Sequence, residues 1–190
     1  MIPTTREIVY ALYGAWRLAH VDRGGMGYFD TSAEGFWKSF FAAALVAPAY
    51  LILVLLDPAT TSSQAGLLRI VLVHTLSYSL SWTAYPVIVH PLCAALGRES
   101  AYSGFIVAFN WIKVIQMAAY LPVVVIVAGK VLPEGVGELL NTLVYLLLLV
   151  YQWLATRVAL DIKPLPSTGL VALDFFLGVI ISVLALGMIK

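Results

Sequence analysis

Lys113 and Asp174 are the side chains with the most to explain, because each lies inside a long apolar stretch of the chain. An ionised group at the middle of a membrane span costs roughly 2.5 to 3.5 kcal/mol on insertion scales. Both must therefore face a bundle interior or water, and one contact between them relieves two unfavourable burials. The expectation is a Lys113 to Asp174 contact, direct or through a water. Such a pair serves either as a proton or ion relay or as a clasp that fixes one helix against another, and in so small a bundle the clasp is favoured.

Around that pair, Asn110, Lys113 and Gln116 recur every third residue and make a polar ridge on one helix face. His74, Ser77 and Ser81 make a similar ridge on the preceding apolar segment. In hydrocarbon such groups bond across helices, each pair contributing on the order of 0.6 kcal/mol, so packing explains them adequately. The sharper alternative is a hydrophilic cavity, extended by Tyr85 and Tyr120, along which a solute moves. A further group, His90, Arg98, Arg157 and Asp161, falls at the cytoplasmic ends of the proposed spans. Arg157 and Asp161 stand four apart, a spacing that allows a local ion pair on a solvated helix end.

Other chemistries find little purchase. His74 and His90 are roughly four turns apart on one helix, too far to grip one metal or one haem together. With only His20 left, a bis-histidine cytochrome is disfavoured. Cys93 is the only cysteine, so the chain forms no internal disulfide and no thiolate cluster. Neither a Gly-x-Ser-x-Gly elbow nor a His-Glu-x-x-His motif is present, and an enzyme is the minority reading. No cofactor or metal is implied. The net charge of +1, spread over scattered residues, gives no footprint for nucleic acid.

The elements that must position these residues are dictated by composition. With 62% hydrophobic and only 11% charged residues, the chain cannot be solvated by water alone. It reads as an all-α integral membrane bundle of about five transmembrane helices with an N-terminal amphipathic interfacial helix. Residues 1–30 form that surface helix and a glycine-rich elbow, and residues 31–190 the five-helix transmembrane domain. In the first part, Thr4 and Glu7 make a capping box; Ile8, Leu12, Ala15, Trp16 and Ala19 share one face, with Arg6, Tyr10, Tyr13, Arg17 and His20 opposite. VDRGGMGYFD has neither the preceding strand nor the Lys-Ser/Thr of a phosphate loop, and a flexible elbow is the reading. The arginine and tyrosines within Ile8 to Ala19 break any secretory-signal pattern, so no removal from this end is expected.

Thr31 and Glu34 read as a second capping box, opening a first span from about Phe36 to Leu56. The remaining spans run from about Leu67 to Leu96, with a kink expected at Pro86 and Pro91, from Ala101 to Val131, from Leu139 to Leu160, and from Leu170 onward. DPATTSSQAG and DIKPLPSTG are connecting loops. Placing the N-terminus in the cytoplasm puts Arg6, Arg17, Arg23, Lys38, Arg98, Arg157 and Lys163 inside, against Arg69, Lys130 and Lys190 outside, as the positive-inside rule prefers.

Within LCAALGRESAYSGFIVAFNWIKVIQMAAYLPVVVIVAG, a Gly closes one span, a short polar turn follows, and an aromatic-containing span ends in Tyr-Leu-Pro. Together with FWKSFFAAALVAP opening the first span, this resembles the Yip family over roughly residues 36–190, carried by Gly97, Tyr120 and Pro122. The resemblance implies a non-enzymatic five-span membrane protein with a cytoplasmic N-terminus. Eukaryotic members are associated with small GTPases and vesicle traffic, while bacterial relatives largely have no assigned role. This chain departs from the trafficking members in having no long polar tail, and its short loops look more like a bacterial inner-membrane protein. The leading functional expectation is a scaffold or accessory component that engages membrane lipids and other membrane proteins or copies of itself. The rival is a transporter or channel for a small solute, ion or proton.

Overall fold

The structure, a computed structural model that describes residues 2–190, is helical throughout, with no strand among the described residues. Its elements are α1 (Thr5–Ala19), a 3-10 turn (Arg23–Tyr28), α2 (Ala33–Ser39), α3 (Phe41–Leu56), α4 (Pro58–Thr61), α5 (Leu67–Ala95), a 3-10 turn (Glu99–Ala101), α6 (Tyr102–Ala128), α7 (Glu134–Leu160) and α8 (Pro164–Ile189). Four helical stretches among the described residues are long and apolar enough to cross a membrane: Ala33–Leu56, Glu99–Ala128, Glu134–Leu160 and Pro164–Ile189.

Local chemistry explains most boundaries. At α1 the expected capping box forms: Thr4 Oγ1 accepts from Glu7 N at 3.3 Å, and Glu7 Oε2 accepts from Thr4 N at 2.6 Å. The second cap is displaced by one residue. Ser32, not Thr31, caps α2 by accepting from Gly35 N at 3.1 Å, and Glu34 turns instead to Lys38, 2.7 Å away. α2 and α3 are separated only by a tight turn at Phe40, where Phe40 N bonds back to Trp37 O. α8 begins six residues before the expected Leu170, because Pro164 occupies its first turn, where a missing N–H costs nothing. α5 and α6 run unbroken through Pro86, Pro91 and Pro122.

α5 is as long as the others but is not among these four, and its hydroxyls are folded back on their own helix. Ser77, Ser79, Ser81 and Thr83 donate to the carbonyls of Val73, Thr75, Tyr78 and Ser79 at 2.8 to 2.9 Å. Hydropathy counts those groups as polar, although each already has an acceptor. The cross-helix bonding expected of Ser77 and Ser81 is thereby corrected.

The core is layered around α6, whose Gly104 to Ile112 segment is buried. On one side α1 docks through a face of mostly small residues: Ala11 and Ala15 join the core formed with α6 and α7, Gly14 and Leu18 meet the 3-10 turn, and Tyr151 of α7 donates to Ala15 O at 2.7 Å. The side that meets protein is thus the small-residue face, and Trp16, grouped with the apolar face by periodicity, is 54% exposed. Small residues let backbones approach where bulky ones cannot. The elbow is likewise a packed structure: a Cβ on Gly14 would sit 2.8 Å from Gly25 O, and one on Gly25 2.6 Å from Gly14 O. On the other side α5 packs along α8 and meets α6 near the Gly97 turn, where Tyr102 donates to Pro86 O at 3.0 Å and Tyr85 stacks on Phe109 at 4.5 Å.

Candidate functional site

Above that contact the long helices part, leaving a cavity of about 510 Å³ lined by residues of α3, α5, α6, α7 and α8. Lys113 enters it from α6 and Asp174 from α8, with Nζ 3.9 Å from Oδ1. This is the outer limit of an ion pair. The ammonium lies 4.4 Å from the centroid of Phe109 and 5.5 Å from that of Trp82, so two aromatic faces share in stabilising it. The other carboxylate oxygen accepts from Gln152 Nε2 at 2.9 Å. Each partner keeps unused hydrogen-bonding capacity toward the cavity, since an ammonium has three donors and a carboxylate about four acceptor positions.

The polar ridge of α6 fans out rather than acting as a unit, because successive third residues are turned by about 60° around a helix. Lys113 and Gln116 line the cavity, Gln116 donating to Leu148 O at 3.0 Å. Asn110 does not. It is fully buried beneath α2, donating to Ser39 Oγ at 2.9 Å, and its Oδ1 has no hydrogen-bond partner among the described residues. Tyr120 lines the cavity, whereas Tyr85 is buried below it with its hydroxyl on Leu170 O.

A second cavity of about 380 Å³ shares Tyr50, Ser81, Gly178 and Ser182 with the first and carries the space on to His74, Ser77 and Asp57. His74 is bonded on both ring nitrogens, to Tyr50 Oη at 3.3 Å and Thr60 Oγ1 at 3.1 Å. Tyr50, Gln152, Asp57 and Thr60 were not singled out in the sequence. The signal for two of them was there: Tyr50 is the one polar ring in FAAALVAPAYLILVLL, and Gln152 the one amide in LLLLVYQWL.

The group expected at the cytoplasmic ends, His90, Arg98, Arg157 and Asp161, is dispersed. Asp161 pairs with Arg98, not Arg157, which corrects the four-apart ion pair. It ends α7 in the left-handed region (φ 47°), which turns it off the helix face, and Arg98 reaches its carbonyl at 2.6 Å and its carboxylate at 3.2 Å. Arg157 stacks over Trp153 at 4.8 Å, and His90 packs edge-on to Tyr102 at 4.7 Å. In the segment before the first span, the Glu7 carboxyl is held down to about 2 by the Lys38 ammonium at 2.8 Å, helped by Thr4, and Arg17 lowers Asp22. No group of three or more His, Cys, Asp or Glu able to hold a metal ion occurs among the described residues.

Comparison with protein-family models, curated proteins and solved structures finds no match for this chain. The Yip resemblance rests on Gly97, Tyr120 and Pro122 alone.

Proposed function

We propose that this chain is a five-span membrane protein whose interior passes a small polar solute or ion, with Lys113 and Asp174 at the centre of the path. α5 supplies the additional crossing, α1 lies along the interface, and the distribution of Lys and Arg favours a cytoplasmic N-terminus. The sparse loops fit a bacterial inner membrane. The observation that carries the reading is a pair of adjoining cavities that share Tyr50, Ser81, Gly178 and Ser182, one lined by Lys113 and Asp174 and the other by His74 and Asp57. A clasp joining α6 to α8 would bring ammonium and carboxylate into direct contact in a dry interface. Here they stand at 3.9 Å beside open space. The scaffold reading needs no such space, and a sealed interior would have favoured it.

Osmotic swelling of proteoliposomes tests this, using glycerol, glycine and choline as uncharged, zwitterionic and cationic probes. Swelling above that of protein-free vesicles is expected for at least one probe, and Lys113→Met should abolish it while the protein elutes at its usual size. If no probe enters faster than into empty vesicles, or if Lys113→Met swells like the parent, passage of a solute along this path is overturned. A variant that instead loses assembly points to the scaffold.

A further inference from the structure

Asp57 caps α4, its Oδ1 accepting from Ala59 N and its Oδ2 from Thr60 N, both at 3.2 Å. A cap requires no more than this, yet the Thr60 hydroxyl also donates to Oδ2 at 2.8 Å, and its oxygen lies 3.1 Å from His74 Nε2. The directions of these bonds follow from donor chemistry. The carboxylate accepts, so the Thr60 hydrogen points at Asp57; the Thr60 oxygen is then an acceptor, and Nε2 of the imidazole carries the hydrogen. Nδ1 is left bare and takes the Tyr50 hydroxyl hydrogen across 3.3 Å. All three hydrogens point one way, from Tyr50 toward Asp57. Tyr50 lines both cavities, and Asp57 lines the smaller one where α3 meets α4.

We propose that Tyr50, His74, Thr60 and Asp57 form a proton-conducting chain, so that the proton is the ion, or the coupling ion, of the cavity. The inference rests on reading the two cavities as one path. A proton reaching Tyr50 Oη from the cavity replaces the hydrogen that Tyr50 passes to His74 Nδ1, and the ring becomes imidazolium. The Nε2 proton then moves to Thr60 Oγ1 as the Thr60 hydrogen moves to Asp57 Oδ2. One proton has been taken up: Asp57 is a neutral acid, His74 is neutral in its other tautomer, and both hydroxyls are restored. Release from Asp57, followed by rotation of the hydroxyls and return of the ring to its first tautomer, resets the chain.

The charged and titratable groups around His74 are compatible with this traffic. α3 contributes Tyr50 and the α3–α4 junction Asp57, while α5 itself carries Arg69 near its start. From α8 the adjoining wall is Ile181, Ser182 and Ala185, with Asp174 about two turns deeper and Lys190 at the far end. α6 contributes Lys113 across the larger cavity. Asp57, one hydroxyl away from the ring, is the countercharge for the imidazolium.

The test uses the full chain in potassium-loaded vesicles, with valinomycin setting the potential and pyranine reporting internal pH. Wild-type vesicles should take up protons faster than protein-free ones. Asp57→Asn keeps an oxygen to cap α4 but cannot accept a proton, and Tyr50→Phe keeps the ring beside Tyr78 but loses the hydroxyl. Each should lose proton flux by on the order of a hundredfold, the low end of what a positioned proton-transfer group contributes. Proton uptake unchanged in both variants overturns the proposal, as does a wild type no faster than empty vesicles. If those wild-type vesicles still swell with solute, only the proton chain falls; if they neither swell nor take up protons, the transport reading falls with it. Tyr50→Phe decides the matter should Asp57→Asn fail to fold.

Discussion

Where α1 docks, ions and backbones are in close contact: Lys38 lies 2.8 Å from Glu7 and 2.7 Å from Glu34, Arg17 lies 2.5 Å from Asp22, and Gly14 meets Gly25 backbone to backbone. Across the bundle, Lys113 and Asp174 stand 3.9 Å apart at the edge of about 510 Å³ of space. Both regions hold comparable chemistry, cations beside carboxylates and aromatic rings. The first brings its charges into direct contact, whereas the second holds them apart beside open space.

The contrast can be broken most sharply at Asp174. Asp174→Leu strands the Lys113 ammonium and leaves Gln152 without its acceptor, and should destabilise the bundle by about 3 kcal/mol. That figure is at the low end for a broken buried pair because the two side chains are 21% and 18% exposed. Adding Lys113→Met should restore most of the loss, as thermal unfolding in detergent micelles will show. A single variant as stable as the parent would mean the pair contributes nothing to folding.

On the closed side, Gly14→Val drives a side chain into Gly25 O and Tyr28, and should cost about 2 kcal/mol in the same measurement. An unchanged midpoint would show that the elbow is free to move away, as the sequence alone suggested. A smaller effect of opposite sign is expected at Val21, a β-branched residue held at φ 61°. Val21→Gly should stabilise by about 1 kcal/mol by removing that strain.

The mildest test is acid. The Glu7 carboxyl is held at about 2, first by Lys38 and then by Thr4, against 4.5 ordinarily. Its contribution is therefore fully present above pH 4.5 and is lost as pH falls toward 2. Docking of α1, followed by the NMR shifts of its amides, should weaken over that window, and Lys38→Met should bring Glu7 titration back toward its usual range. Glu7 is at the surface, so this effect ranks below the other three.

Much of this was legible beforehand. The apolar runs announced the long helices, Thr4 and Glu7 announced the first cap, and the cost of an ionised group in hydrocarbon required Lys113 and Asp174 to be neighbours. What escaped was rotational. Asn110 belongs to the same three-residue repeat as Lys113, yet the helix turns it beneath α2 and away from the cavity. Asp161 stood at the right spacing for Arg157, but a left-handed cap turned it toward Arg98. Tyr50, Thr60 and His74 come from three different elements, and no spacing in the chain announces that they meet.

Composition and the price of desolvation thus determined the solvent, the helical class and the need for an internal ion pair, because each of these depends on residue type summed along short windows. Only tertiary structure decided which groups are satisfied and which are left free. That depends on how helices cross and how far each is rotated about its axis, and a rotation of about 100° per residue carries neighbours in sequence to opposite sides of the fold.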